Sequence, residues 1–193
     1  MANLNICDEE VQRSIREFIG EARICALTRR DGGILGFAAM STIFSCILAL
    51  GESILGRRAK VDEAIEAVYK EMPCQASWLL TPEGPNPDDT VVVGKLKQLR
   101  DALVHQLSLP NDTILFPNRE SARSGTGYAW GIIVPEFIDA VESAVPRIVE
   151  KHGNKKWDPG ADEKTPSRGP AAALHSTDKR AEAPTSGSAS RRV

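Results

Sequence analysis

The stretch ILGFAAMSTIFSCILALGESIL, residues 34–55, decides how the rest of the chain is read. From Ile34 to Leu50 it carries no charged side chain. A helix that is apolar nearly all round belongs either in a bilayer or at the centre of a helical bundle. Seventeen uncharged residues are at the short limit for a span, Ser41, Thr42 and Ser45 interrupt them, and Glu52 closes the run early. Arg29/Arg30 and Arg57/Arg58 flank both ends, so no orientation bias is visible. The segment is read as the central helix of a bundle, with membrane anchoring through residues 34–55 as the alternative.

Working outward, residues 8–28 predict a helix before it. Val11, Ile15, Phe18, Ile19, Ala22 and Ala26 repeat at three- and four-residue steps. Asp8, Glu9 and Glu10 suit its positive end, and Asp31-Gly32-Gly33 breaks the chain. After Gly56, residues 60–71 predict a shorter helix stopped by Pro73, and the TPEGPNPDD run predicts a loop. Residues 89–108 predict a fourth helix with Asp89 as N-cap and a seam of Leu96, Leu99, Leu103 and Leu107. Val91, Val92 and Val93 weaken its first turn. Residues 109–130 read as a long irregular connection, extended at most over 113–116 and mobile over 121–127. Pro135 suits the first turn of a last helix reaching about His152, kinked or broken at Pro146. Five helices without a convincing β pattern predict an all-α bundle over residues 1–152. Residues 153–193, rich in Pro, Gly, Ser, Ala, Thr and charge, predict a disordered tail.

The 193 residues are 41% hydrophobic and 26% charged, a soluble profile with room for a real core. Residues 1–150 hold 15 basic and 21 acidic side chains, and residues 151–193 hold 9 and 5. An acidic body with a basic tail argues against broad, non-specific nucleic-acid binding by the body, which needs many phosphates neutralised, and leaves room only for a locally basic site. Cys7, Cys25, Cys46 and Cys74 are widely spaced, without zinc-ligand spacing or clustered histidines. They predict reduced thiols, a cytoplasmic protein and no metal or cofactor. No basic start and apolar run resembling a signal peptide opens the sequence.

One short motif carries chemistry. Arg100-Asp101-Ala102-Leu103-Val104-His105 sets an arginine, a polar neighbour and a histidine within one helix. The bare pairing is weak: Arg147 precedes His152 and Arg168 precedes His175 as well. His152 sits at a helix end, where a histidine favours the dipole, and His175 lies in the tail. Asp101 and His105 are four apart and share a helical face, so the carboxylate would orient the imidazole. Arg100 stands about 140° away from His105 on an ideal helix. Both reach one substrate only at a groove edge or where two copies meet. The plain alternative is a solvated surface pair.

A long, nearly charge-free second helix, a loop, and a late helix carrying RDALVH together resemble the HEPN superfamily over roughly residues 8–150. Its members are small helical bundles, many of them metal-independent RNases, with a motif of Arg, a polar residue and His. The neighbour of the arginine is most often Asn there; Asp101 is a less usual variant. One subgroup has a tyrosine two positions after the histidine, where this chain has Leu107. The resemblance implies an endoribonuclease acting as a toxin or in defence, as a homodimer on RNA, with an antitoxin-type protein as a further partner. It implies Arg100 on the phosphoryl oxygens, His105 as base or acid, and Asp101 as orienting group.

Lys95, Lys97, Arg119 and Arg123 surround the motif and are read as a basic RNA-binding rim, with Asp101, Asp112 and Glu120 among them. Two other readings stay open: a catalytically inactive HEPN-like module that dimerises and binds, and the membrane-anchored protein.

Overall fold

In the computed structural model, which describes residues 6–30, 33–73, 77–82, 87–123 and 128–158, the apolar stretch is a central helix, α2 (Gly36–Leu55). It is long and apolar enough to cross a membrane by length and composition, yet here it is the hub of the helices. It packs against α1 (Glu9–Leu27), α3 (Val61–Tyr69) and α6 (Val134–His152). Met40, Ile43, Phe44, Ile47 and Leu50 of α2 are buried with Ile15, Ile19 and Ala22 of α1 and Phe137, Ile138 and Val141 of α6. Burying such side chains contributes about 1.5–3 kcal/mol each, which is what holds so apolar a helix inside protein.

Local chemistry sets the ends. Asp8 caps α1 by accepting from the Glu10 amide at 2.9 Å. α2 stops at Gly56, whose φ of 68° suits glycine. Gly51 lets α3 close on α2, since a methyl group there would overlap Ala64. The helix after the proline-rich loop is α4 (Asp89–Asp101), and its N-cap is Asp88, accepting from the Thr90 amide at 2.7 Å. Asp89, expected as the cap, instead accepts from the Tyr69 hydroxyl at 2.9 Å. The three valines do not prevent the first turn; Val92 is buried there. α6 runs unbroken through Pro146, which lies on its exposed side, where water can satisfy the Glu142 carbonyl.

The fold is mostly helical but not purely so. A hairpin, β1 (Arg29–Arg30) with β2 (Gly33–Ile34), links α1 to α2. A second sheet has the order β3–β5–β4. Here β3 is Leu79–Leu80, β4 is Thr113–Phe116 and β5 is Trp130–Ile133, and a short α5 (Arg119–Ala122) precedes β5. Leu79 faces Ile132 across the antiparallel pair, and Thr113 faces Trp130 across the parallel one. β4 is the extended piece foreseen at 113–116; β1, β2, β3 and β5 were not foreseen, and α5 occupies part of the connection expected to be irregular at 109–130 and mobile from 121. All four residues of β5 are buried, so no alternation marks it as a strand, and β3 is only two residues long.

The body continues past the expected boundary at residue 152. Gly153 is buried, and the Asp158 amide bonds the Gly56 carbonyl at 2.7 Å. The tail from residue 159, part of the expected mobile stretch (124–127) and Cys74 lie outside the described residues. Cys7, Cys25 and Cys46 are free thiols, and burial pushes Cys46 up to about 12.

Candidate functional site

α4 does not end as an α-helix. Ala102–Gln106 form a π turn, and the Leu107 amide bonds the Ala102 carbonyl five residues back. The Ser108 amide reaches the same carbonyl at 3.3 Å. Leu107 then takes a left-handed backbone, φ 50° and ψ 37°, which costs a residue with a Cβ about 1–2 kcal/mol. Buried Ala102 and Leu103 anchor the turn while Val104, His105, Gln106 and Leu107 are exposed. Bonding five residues apart, rather than four, brings a residue and its fifth successor toward one side of the helix. The offset of Arg100 from His105 is therefore smaller than in a regular α-helix.

The three motif residues have different surroundings. Arg100, half-buried, lines a groove with Ser41, Phe44 and Ser45 of α2 and Val61 and Ile65 of α3. Val104 borders the same groove. Asp101 lines a second groove with Lys97, Gln98, Gln106 and Pro110. It accepts from Arg100 Nη1 at 3.0 Å, so its partner is the arginine next to it and not His105. His105 is exposed, and no hydrogen bond or ion pair holds its ring among the described residues.

The surrounding cations are mostly matched by carboxylates. Lys95 bonds Asp112, holding that carboxyl below its usual range, and lies 5.8 Å from the centre of the Trp130 ring. Lys97 does the same to Asp62 of α3. Arg119 grips Glu136 through Nε at 3.2 Å and Nη2 at 2.6 Å, and also donates to the Ser77 carbonyl. Arg123 is exposed at the end of α5. Three of the four rim residues thus tie elements together: α4 to the start of β4, α4 to α3, and α5 to α6. Their partners lie 17 to 42 positions away in sequence, which no local pattern discloses.

The other described histidine is structural. His152 at the end of α6 lies 3.4 Å from Glu71, which also receives Lys151 at 2.7 Å. Arg147 donates to the Glu71 carbonyl at 3.3 Å. Lys151, and then His152, hold the Glu71 carboxyl below its usual range. This matches a histidine at the negative end of a helix dipole.

No family model matches the chain, and searches of curated proteins and of solved structures return no similar protein.

Proposed function

We infer that this chain is a metal-independent endoribonuclease of HEPN type, its helices forming a HEPN-like all-α bundle to which the small sheet is an addition. The observation that carries the reading is His105: exposed, unengaged, and set on a π turn one residue from the edge of the groove that Arg100 lines. Side chains with no structural task and an unusual backbone beneath them mark functional positions more often than ordinary helix surface does.

The chemistry follows from the groups. A ribose 2′-hydroxyl gives its proton to one imidazole as its oxygen bonds to the adjacent phosphorus. The P–O5′ bond breaks, and the leaving oxygen takes a proton from a second, protonated imidazole. Arg100 stabilises the negative charge that builds on the phosphoryl oxygens. Each chain offers one such histidine, so the base and the acid come from two copies of His105 across a homodimer. Asp101 holds the Arg100 guanidinium in place. RNA is the substrate, and an antitoxin-type protein would act by covering this face.

A second reading is an RNA- or protein-binding module without catalysis. It is favoured by the pairing of Arg100 with Asp101 and of Lys95, Lys97 and Arg119 with carboxylates.

The expected outcome is that purified protein cleaves RNA in excess chelator and leaves 2′,3′-cyclic phosphate ends. His105→Ala and Arg100→Ala should each lower the rate by about 100-fold or more with the fold intact. Undiminished cleavage by the doubly substituted protein would show that the site lies elsewhere, and loss of activity in chelator would show metal-dependent chemistry.

A further inference from the structure

Two carboxylate-free runs of cations meet at the far end of α2. One is Arg57-Arg58-Ala59-Lys60, between α2 and α3. The other is Lys151-His152-Gly153-Asn154-Lys155-Lys156-Trp157, which closes α6. The backbone joins them: the Asp158 amide bonds the Gly56 carbonyl at 2.7 Å, and Lys155 Nζ caps the Ile54 carbonyl at 2.8 Å. Gly56 makes the approach possible, since a Cβ there would sit 3.0 Å from the Lys156 carbonyl oxygen in a backbone with φ of 68°. Lys60, Lys155 and Lys156 are all exposed.

The carboxylates beside them are already engaged. Arg57 bonds Glu63 at 2.9 Å, and Lys97 bonds Asp62. Glu52 accepts from the Ala59 amide at 3.4 Å, and Asp158 is the acidic residue that follows Trp157. Among the described residues no ion pair ties Lys60, Lys155 or Lys156 to a carboxylate, although Lys60 stands near enough to Asp62 and Glu63 to help lower both carboxyls. Trp157 adds an aromatic ring: it is half-buried, whereas Trp78 and Trp130 are buried. Lys60 is followed directly by Val61, which lines the Arg100 groove. Lys60 therefore stands one residue from the groove lining.

We propose that Lys60, Lys155, Lys156 and Trp157 form a binding track for single-stranded RNA that leads to the Arg100 groove. The lysines pair with successive phosphates, and the indole stacks on a base. The track deepens the nuclease reading by assigning the substrate contacts, but binding on it does not depend on cleavage.

The probe is a short 2′-O-methylated oligoribonucleotide, which lacks the attacking hydroxyl and stays intact. Titrated against the full chain, it should quench tryptophan emission, because Trp157 is the indole within reach. Its affinity should fall with salt. In Lys60→Glu/Lys156→Glu, which leaves the Lys155 bond to Ile54 untouched, affinity should drop at least tenfold. The slope of log affinity against log salt should shrink by about 1.4 for two lost phosphate contacts. An unchanged slope and affinity in that variant, with its melting temperature preserved, would overturn the track. So would tighter binding to phosphatidylserine vesicles than to the oligomer, lost in the same variant. Cleavage of the unmodified oligomer is scored separately. Wild-type binding without cleavage sinks the nuclease reading and leaves the track standing; cleavage with unaltered binding in the variant does the reverse.

Discussion

Leu107 holds a left-handed backbone with its side chain 81% exposed, so it gives up local stability without filling any space. Leu107→Gly should therefore raise stability by about 0.5–1 kcal/mol, the strain relieved less the added freedom of the unfolded chain. A urea melt checks it, and a decrease would show that the leucine packs usefully. Glu71 is the opposite case. Its side chain is only 11% exposed and serves Lys151 and His152. Its folded pKa is depressed, so its contribution is present above the ordinary glutamate range and is lost as pH falls through the folded value. Glu71→Gln should lower stability by about 1 kcal/mol near neutral pH and by less at acid pH, where both proteins carry a neutral side chain. Equal losses at both pH values would contradict the ion pair. The sequence disclosed that His152 ends a helix. It did not disclose Glu71, which lies 81 positions earlier and meets it only through the packing of α3's end on α6.

Elements were legible in proportion to their period. α1, α2, α3, α4 and α6 repeat apolar residues over several turns and stand where the spacing puts them. The π turn was not legible, because Leu103 and Leu107 continue the leucine seam as if the α-helix went on; Leu103 is buried and Leu107 is not. The strands β3 and β5 were missed because two residues, or four that are all buried, show no alternation. Asp88 and Asp89 are both good caps, and sequence alone does not choose between them. Gly51 looks like a weak point of a long helix, but its missing Cβ is what seats α3. Gly51→Ala should lower stability by about 1–3 kcal/mol despite the better helix propensity of alanine, because the overlap with Ala64 forces the helices apart. A higher melting temperature would show that α2 and α3 can separate without loss. Pro146→Ala, on the solvent side of α6, should stabilise by about 1–2 kcal/mol, through the restored bond to Glu142.

At the scale of the whole molecule, the hydrophobic hub was readable because α2 has nowhere else to go but into protein or lipid. The pairing of charges was not. An acidic body with scattered lysines looks like a weak basic rim in one dimension, and only the fold shows which lysines are spent on Asp112 and Asp62 and which face outward at the α2–α6 end. Bonds from Lys155 and Asp158 to Ile54 and Gly56 tie residues past 152 to the body. Truncation after Asp158 should leave the melting temperature of the body unchanged. Truncation after Gly153 should lower it, because the bonds to Ile54 and Gly56 go with the removed residues. In one chain Arg100 lines one groove, Asp101 lines another and His105 is exposed, and the proposed nuclease reading supplies the second imidazole from a second copy. Mixing wild-type and His105→Ala chains, after subunit exchange, tests this most directly. With the base on one copy and the acid on the other, RNA cleavage should fall as the square of the wild-type fraction; a fall in simple proportion to that fraction would contradict the shared site.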